Sequence, residues 1–173
     1  TGIDRGSLFD MGCGTGQLLE QIHKEFGNKF SLSGADYSVN MIKQARRNLK
    51  IKDIEAELFN TDVSDIKESI AGDFDIITCT HSLPYYRNQE KALSDMADLL
   101  KEKGYIIVIC ASVNNFYDRL ACSLLKLTTG KAHYPSVKEL KSFAKDKLRF
   151  MGSCRIKKAF FMPNIMAVVY KRK

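Results

Sequence analysis

The amino-acid sequence predicts an α/β fold, a doubly wound, mostly parallel seven-stranded sheet with an antiparallel C-terminal strand. Short, nearly continuous apolar runs alternate with helical patterns from Ser7 to Ala111, as strands covered by helices on both faces require. The first handover from strand to helix passes through glycines at 12, 14 and 16. The last two apolar runs are separated only by Met162, Pro163 and Asn164. That is too short for a crossover, so the two pair antiparallel.

Each element follows from its own pattern. Ser7 to Met11 is a short apolar strand, and Gln17 to Phe26 places Leu18, Leu19, Ile22 and Phe26 at helical spacing. Phe30 to Ala35 reads as the second strand, and Asn40 to Leu49 as a helix with Met41, Ile42, Ala45 and Leu49 on one stripe. Ile54 to Asn60 forms the third strand and Phe74 to Thr80 the fourth, rich in Ile and Thr. Glu90 to Leu100 is a helix stopped at Gly104, and Tyr105 to Ala111 is the fifth strand. Ser136 and Glu139 form a capping box that opens a helix running to about Lys147. Arg155 to Phe161 and Ile165 to Lys171 complete the sheet.

No repeat, low-complexity tract or linker divides residues 1–173, which read as one domain. Residues 112–135 fit none of the strand–helix units. Ligands of open α/β sheets lie beyond the carboxyl ends of the strands. An insertion after the fifth strand is therefore expected to cap the substrate or to pack as an ordinary helix.

At 45% hydrophobic and 27% charged residues the composition is that of a globular protein. No apolar run reaches the about 18–20 residues of a membrane span. Cys13, Cys79, Cys110, Cys122 and Cys154 are widely spaced with no CxxC pair, which suits reduced thiols in a cytoplasmic protein. Charge is uneven. Residues 1–86 hold 9 Lys and Arg against 13 Asp and Glu, a balance of −4, whereas residues 87–173 hold 18 against 7, a balance of +11. A basic half can attract an anionic substrate, RNA or a membrane surface, or can be a solvated face. The first strand opens already at Ser7, which suits a fragment of a longer protein.

The chemistry is concentrated in Asp10-Met11-Gly12-Cys13-Gly14-Thr15-Gly16. A dinucleotide fingerprint needs its third glycine three positions after the second, and Gln17 stands there. A carboxylate at the strand end, Asp10, repels a pyrophosphate but suits a ligand carrying an ammonium group. S-adenosylmethionine carries one, together with a sulfonium. Glycines spaced in this way let the backbone approach such a ligand closely.

These residues resemble the first motif of the class I, Rossmann-like S-adenosylmethionine-dependent methyltransferases, and later segments match in order. Gly34-Ala35-Asp36-Tyr37-Ser38 resembles the second motif, in which the acid binds both ribose hydroxyls; one bidentate carboxylate suits a diol. Asn60-Thr61-Asp62-Val63 resembles the third, whose acid meets the adenine amino group. The resemblance thus implies a donor site of Asp10, Gly12, Cys13, Gly14, Gly16, Asp36, Tyr37, Asp62 and Val63. Members of this family usually carry helices before the first strand, and the sequence has no counterpart for them. The usual Pro-Gly-Gly before the fifth strand is reduced to Gly104.

The loop His81-Ser82-Leu83-Pro84-Tyr85-Tyr86 lacks the first proline of the Asp/Asn/Ser-Pro-Pro-Tyr motif found in methyltransferases acting on nucleic-acid and protein amino groups. It looks more like the corresponding loop of small-molecule methyltransferases. The resemblance therefore implies methyl transfer to a nitrogen or oxygen of a small acceptor, and the basic half of the chain leaves room for an anionic one. His81 is the candidate base, and Tyr85, Tyr86 and Tyr117 are candidate walls of the acceptor site. Two alternatives stand beside it: an RNA methyltransferase using the basic half, and a donor-binding protein without catalysis. No His, Asp or Glu set has metal-ligand spacing, so no catalytic metal is expected.

Overall fold

The computed structural model describes residues 2–129, 131–156 and 164–173, with side chains left aside at 125–129. A seven-stranded sheet with strand order β3-β2-β1-β4-β5-β7-β6 runs through the molecule. The strands are β1 Gly6–Met11, β2 Phe30–Asp36, β3 Glu57–Asn60, β4 Phe74–Thr80, β5 Leu100–Ala111, β6 Leu148–Ile156 and β7 Ile165–Arg172. β1 to β5 pair in parallel, β7 runs antiparallel to β5, and β6 is antiparallel to β7. The doubly wound, mostly parallel sheet with an antiparallel C-terminal strand is therefore present.

Alternation along the central strands decides which helices cover which face. Leu8 of β1 and Ile76 of β4 join Leu19 of α1 (Gln17–Phe26) and Ile42, Ala45 and Leu49 of α2 (Val39–Ile51) in one core. Phe9, Met11, Ile77 and Cys79 face the other way. There they meet Ile66 of α3 (Ile66–Ser69), Leu93 and Met96 of α4 (Gln89–Asp98) and Leu140 of α6 (Val137–Ser142). The Phe9 ring lies 4.8 Å from that of Phe74 and 6.5 Å from that of Phe59. Burying one such aromatic contributes roughly 1.5–3 kcal/mol. A third, smaller cluster of Ala111, Cys122, Ala132 and Tyr134 lies under α5 (Phe116–Thr129).

Several boundaries differ from the sequence reading. Met41 is exposed, so the α2 stripe is Ile42, Ala45 and Leu49. The third strand begins at Glu57 rather than Ile54, although Ile54 is still buried. α6 stops at Ser142, five residues before Lys147. Ser142 Oγ donates to the Glu139 carbonyl at 2.7 Å, a local bond that competes with continuing the helix. The capping box at Ser136 and Glu139 is formed as expected. β6 begins at Leu148 and not at Arg155, and its register slips between Phe150 and Gly152. The expected turn at Met162 and Pro163, and most of the run from Arg155 to Phe161, lie outside the described residues.

Candidate active site

The strand order reverses between β1 and β4, and at such a switch point a crevice opens beyond the carboxyl ends of the strands. Here a cleft of about 860 Å³ is lined at its base by Met11 and Gly12 after β1, Ala35 to Tyr37 after β2, and Thr80 to Ser82 after β4.

The turn after β1 is fixed by its glycines and by the backbone beneath it. Gly12 N–H and Cys13 N–H both donate to the Ala35 carbonyl, at 2.8 and 2.9 Å. Gly12 has φ 78°, and a Cβ there would come within 2.4 Å of Ser82 Cβ. Both conformation and space exclude any other residue. Gly16, at φ 82°, turns the chain into α1. The Cys13 thiol is buried, which pushes its pKa up to about 12, with the charges of Asp10 and Asp36 adding to the effect.

Asp36 closes β2. One carboxylate oxygen accepts from Gly14 N–H at 3.0 Å and the other from Ser38 N–H at 2.9 Å. Asn60 Nδ2 donates to the carbonyls of Asp36 and Tyr37, both at 3.0 Å. The carboxylate is thus aimed by backbone donors while both oxygens keep lone pairs toward the cleft. The helix that follows takes its cap from Ser38, not from Asp36. Asp62 and Val63 form the cleft wall beyond β3, and one Asp62 oxygen accepts from Ser64 N–H and Oγ at 2.9 Å.

Asp10 lies under the glycine turn and not on the cleft surface; its carboxylate accepts from Thr78 Oγ1 at 2.7 Å. Burial raises its pKa to about 7, opposed by the Thr78 hydrogen bond and assisted by the Asp36 charge. A second polar group links the two loops. Ser82 Oγ donates to the Met11 carbonyl at 2.8 Å and lies 3.1 Å from Cys79 Sγ. The Tyr86 hydroxyl lies beside this group, 3.2 Å from where a Cβ on Gly12 would stand. Burial, first, holds its pKa well above the usual tyrosine value.

His81 ends β4 in the left-handed region, at φ 61°, uncommon for a residue with a side chain and concentrated at functional sites. Its N–H donates to the Ile109 carbonyl at 2.7 Å, which fixes this geometry against β5. Tyr85, Tyr86, Arg87, Asn88 and Lys91 continue the wall on that side. The structure does not bring Tyr117 to this cleft; it lies half-exposed on α5. Arg87, Asn88 and Lys91 were not singled out from the sequence, although they directly follow the His81–Tyr86 loop. Among the described residues no three His, Cys, Asp or Glu side chains gather to hold a metal.

The residues present fit S-adenosylmethionine: a turn that only glycine can make, an acid aimed by backbone N–H groups after β2, and a second acid after β3. Fold and site together define a class I S-adenosylmethionine-dependent methyltransferase domain. Residues 8–104 match the methyltransferase domain family, to which the chain belongs. The chain is 29% identical over 104 residues to the carboxy-S-adenosyl-L-methionine synthase of Sulfurimonas denitrificans, covering 59% of this chain and 43% of that protein. It is 28% identical over 134 residues to the ubiquinone/menaquinone biosynthesis C-methyltransferase of Idiomarina loihiensis, covering 72% and 53%. The chain thus matches about half the length of these relatives. The magnesium protoporphyrin IX methyltransferase of Synechocystis, solved with bound SAH, has the same fold at TM-score 0.77 and 14% identity, covering 99% of this chain and 76% of that one.

Proposed function

We propose that this domain transfers a methyl group from S-adenosylmethionine to a nitrogen or oxygen of a small acceptor. One observation carries the reading: a single cleft of about 860 Å³ runs from Asp36 and Asp62 to His81, Tyr85 and Arg87. That size falls within the usual range for small-molecule sites, and a relative acting in quinone biosynthesis supports a small acceptor.

In this reading Asp36 holds the ribose diol and Asp62 the adenine edge, with Tyr37 and Val63 beside them. Gly12, Cys13, Gly14 and Gly16 let the turn approach the amino-acid end of the donor, above Asp10. Bound there, S-adenosylmethionine supplies an electrophilic methyl carbon on a sulfonium. The loop after β4 places the acceptor, and alignment of the two reactants accounts for most of the rate. For an oxygen acceptor, an imidazole nitrogen of His81 takes the proton. Tyr85 and the ring of Tyr86 exclude water on that side, while Arg87 favours an acceptor with negative charge.

Calorimetric titration with the donor, followed by a methyl-transfer screen across small amines, phenols and carboxylates, tests the proposal. Donor binding with turnover of a small acceptor is expected. Tight NADH binding without donor binding would overturn the reading, and donor binding with no turnover on any acceptor would favour a non-catalytic domain.

A further inference from the structure

Among its described side chains, α5 turns its large apolar residues outward. Its inward face carries Asp118, 0% exposed, and Cys122, 2% exposed. Its outward face carries Phe116 at 82%, Leu120 at 54%, Leu124 at 60% and Tyr117 at 45% exposure. At 3.6 residues per turn these four fall within an arc of about 100°. A helix packing on its own domain turns its apolar stripe inward; the described side chains of this one do the reverse.

The inversion is held in place by specific contacts. One Asp118 oxygen accepts from Asn164 N–H and Nδ2, at 3.1 and 2.9 Å. The other accepts from Asn164 Nδ2 and Asn114 N–H, at 2.8 and 3.2 Å. The first turn of α5 is therefore fastened to the start of β7 through its polar side. Its apolar arc faces away from the small cluster beneath it.

We propose that α5 docks this domain on an anionic lipid surface. The arc forms a convex ridge of aromatic and aliphatic side chains, which needs no complementary groove and suits insertion at the boundary between headgroups and acyl chains. Exposed Arg119 borders the arc on its polar side, and exposed Lys131 follows the helix. These two cations supply the positive charge that suits a negative lipid surface. Among the described residues no helix is long and apolar enough to cross a membrane, so the contact is peripheral. α5 begins beyond the carboxyl end of β5, the end of the sheet where the cleft opens. Resting on the small-acceptor reading, docking there would give the cleft access to an acceptor dissolved in lipid.

Co-sedimentation with vesicles tests the docking. The chain should be retained by phosphatidylcholine mixed with phosphatidylglycerol, weakly by phosphatidylcholine alone, and less as salt rises. The doubly substituted Phe116→Ser/Leu124→Ser protein, altered only at exposed positions, should lose retention roughly tenfold or more. Arg119→Glu should lose about fivefold or more. Calorimetric binding of the methyl donor should be unchanged in all three proteins. Absence of retention on mixed vesicles, or equal retention of wild type and double variant, would overturn the proposal. So would a concentration-dependent dimer abolished by the double substitution, which would assign the ridge to a second copy. Failure of donor binding in the wild type would overturn the methyltransferase reading and leave the vesicle result to decide docking alone.

Discussion

Ser82 Oγ donates to the Met11 carbonyl at 2.8 Å, tying the loop after β4 to the turn after β1. The same serine occupies the space into which a side chain at Gly12 would point, 2.4 Å from its Cβ position. One residue of the loop after β4 thereby shapes the glycine turn after β1.

Gly12→Ala is expected to weaken donor binding more than 100-fold and to cost about 1–3 kcal/mol of stability, from the clash and from the strain of a positive φ. Adding Ser82→Gly should relieve the clash and recover part of the stability. Full recovery is not expected, because φ stays at 78° and the Met11 carbonyl loses its donor. A double-mutant cycle by denaturant unfolding and calorimetry measures the coupling. Strict additivity would show that the two residues do not constrain each other.

Asp36→Ala should weaken donor binding by roughly 10- to 100-fold, from about 1.5–3 kcal/mol of charged hydrogen bonding. Because Asp36 also holds Gly14 N–H and Ser38 N–H, the variant should lose thermal stability as well. Equal donor affinity of wild type and variant by calorimetry would remove Asp36 from the site.

What the sequence made legible was local. The glycine spacing at 12, 14 and 16, the acids at strand ends and the Ser136 capping box each occupy a few consecutive residues, and each is found in the structure. Contacts between distant segments left no such mark. Ser82 and Met11 are 71 positions apart, and Thr78 and Asp10 are 68 apart. β6 begins earlier than its pattern predicts because it is an edge strand, exposed along much of its length and broken in register between Phe150 and Gly152. Residues 112–135 fit no strand–helix unit in the sequence, and nothing in their pattern says that the described apolar side chains of α5 face outward.

Asp10 should make donor affinity depend on pH. Its carboxyl has a pKa raised to about 7 by burial, and the proposed ammonium partner favours the ionised form. Affinity should therefore fall as pH drops from 8 to 6, and Asp10→Asn should flatten the profile. Stability of the ligand-free protein should follow the opposite sign. The folded state holds this proton between the ordinary carboxylate range and about 7, so Asp10's contribution is full at low pH and is lost as pH rises through that window. Calorimetry and thermal unfolding across the range check both slopes. A flat affinity profile in the wild type would detach Asp10 from the donor.

Asp118→Ala should cost about 2–4 kcal/mol, since it leaves Asn164 N–H and Nδ2 without their acceptor in a buried place and removes the acceptor of Asn114 N–H at the surface. Amide exchange should rise first in α5 and at the start of β7. A loss below about 0.5 kcal/mol by denaturant unfolding would mean that water replaces the carboxylate.

The last prediction separates a small acceptor from RNA. A continuous basic track would make RNA retention fall steeply with salt, on the order of one unit of log–log slope per phosphate contacted. The cleft wall instead offers Arg87 and Lys91, and Lys91 Nζ is engaged by Asp95 at 2.5 Å. Arg119 and Lys131 are exposed outside that wall. With Lys91 paired, Arg87 suits a single negative charge on a small acceptor and gives a shallow dependence. Gel-shift with non-specific RNA across a salt series should show no retention, or retention with a shallow slope. Arg87→Glu should raise KM for an anionic acceptor while leaving donor affinity in place. Strong retention lost steeply with salt would overturn the small-acceptor reading and assign the basic half to RNA.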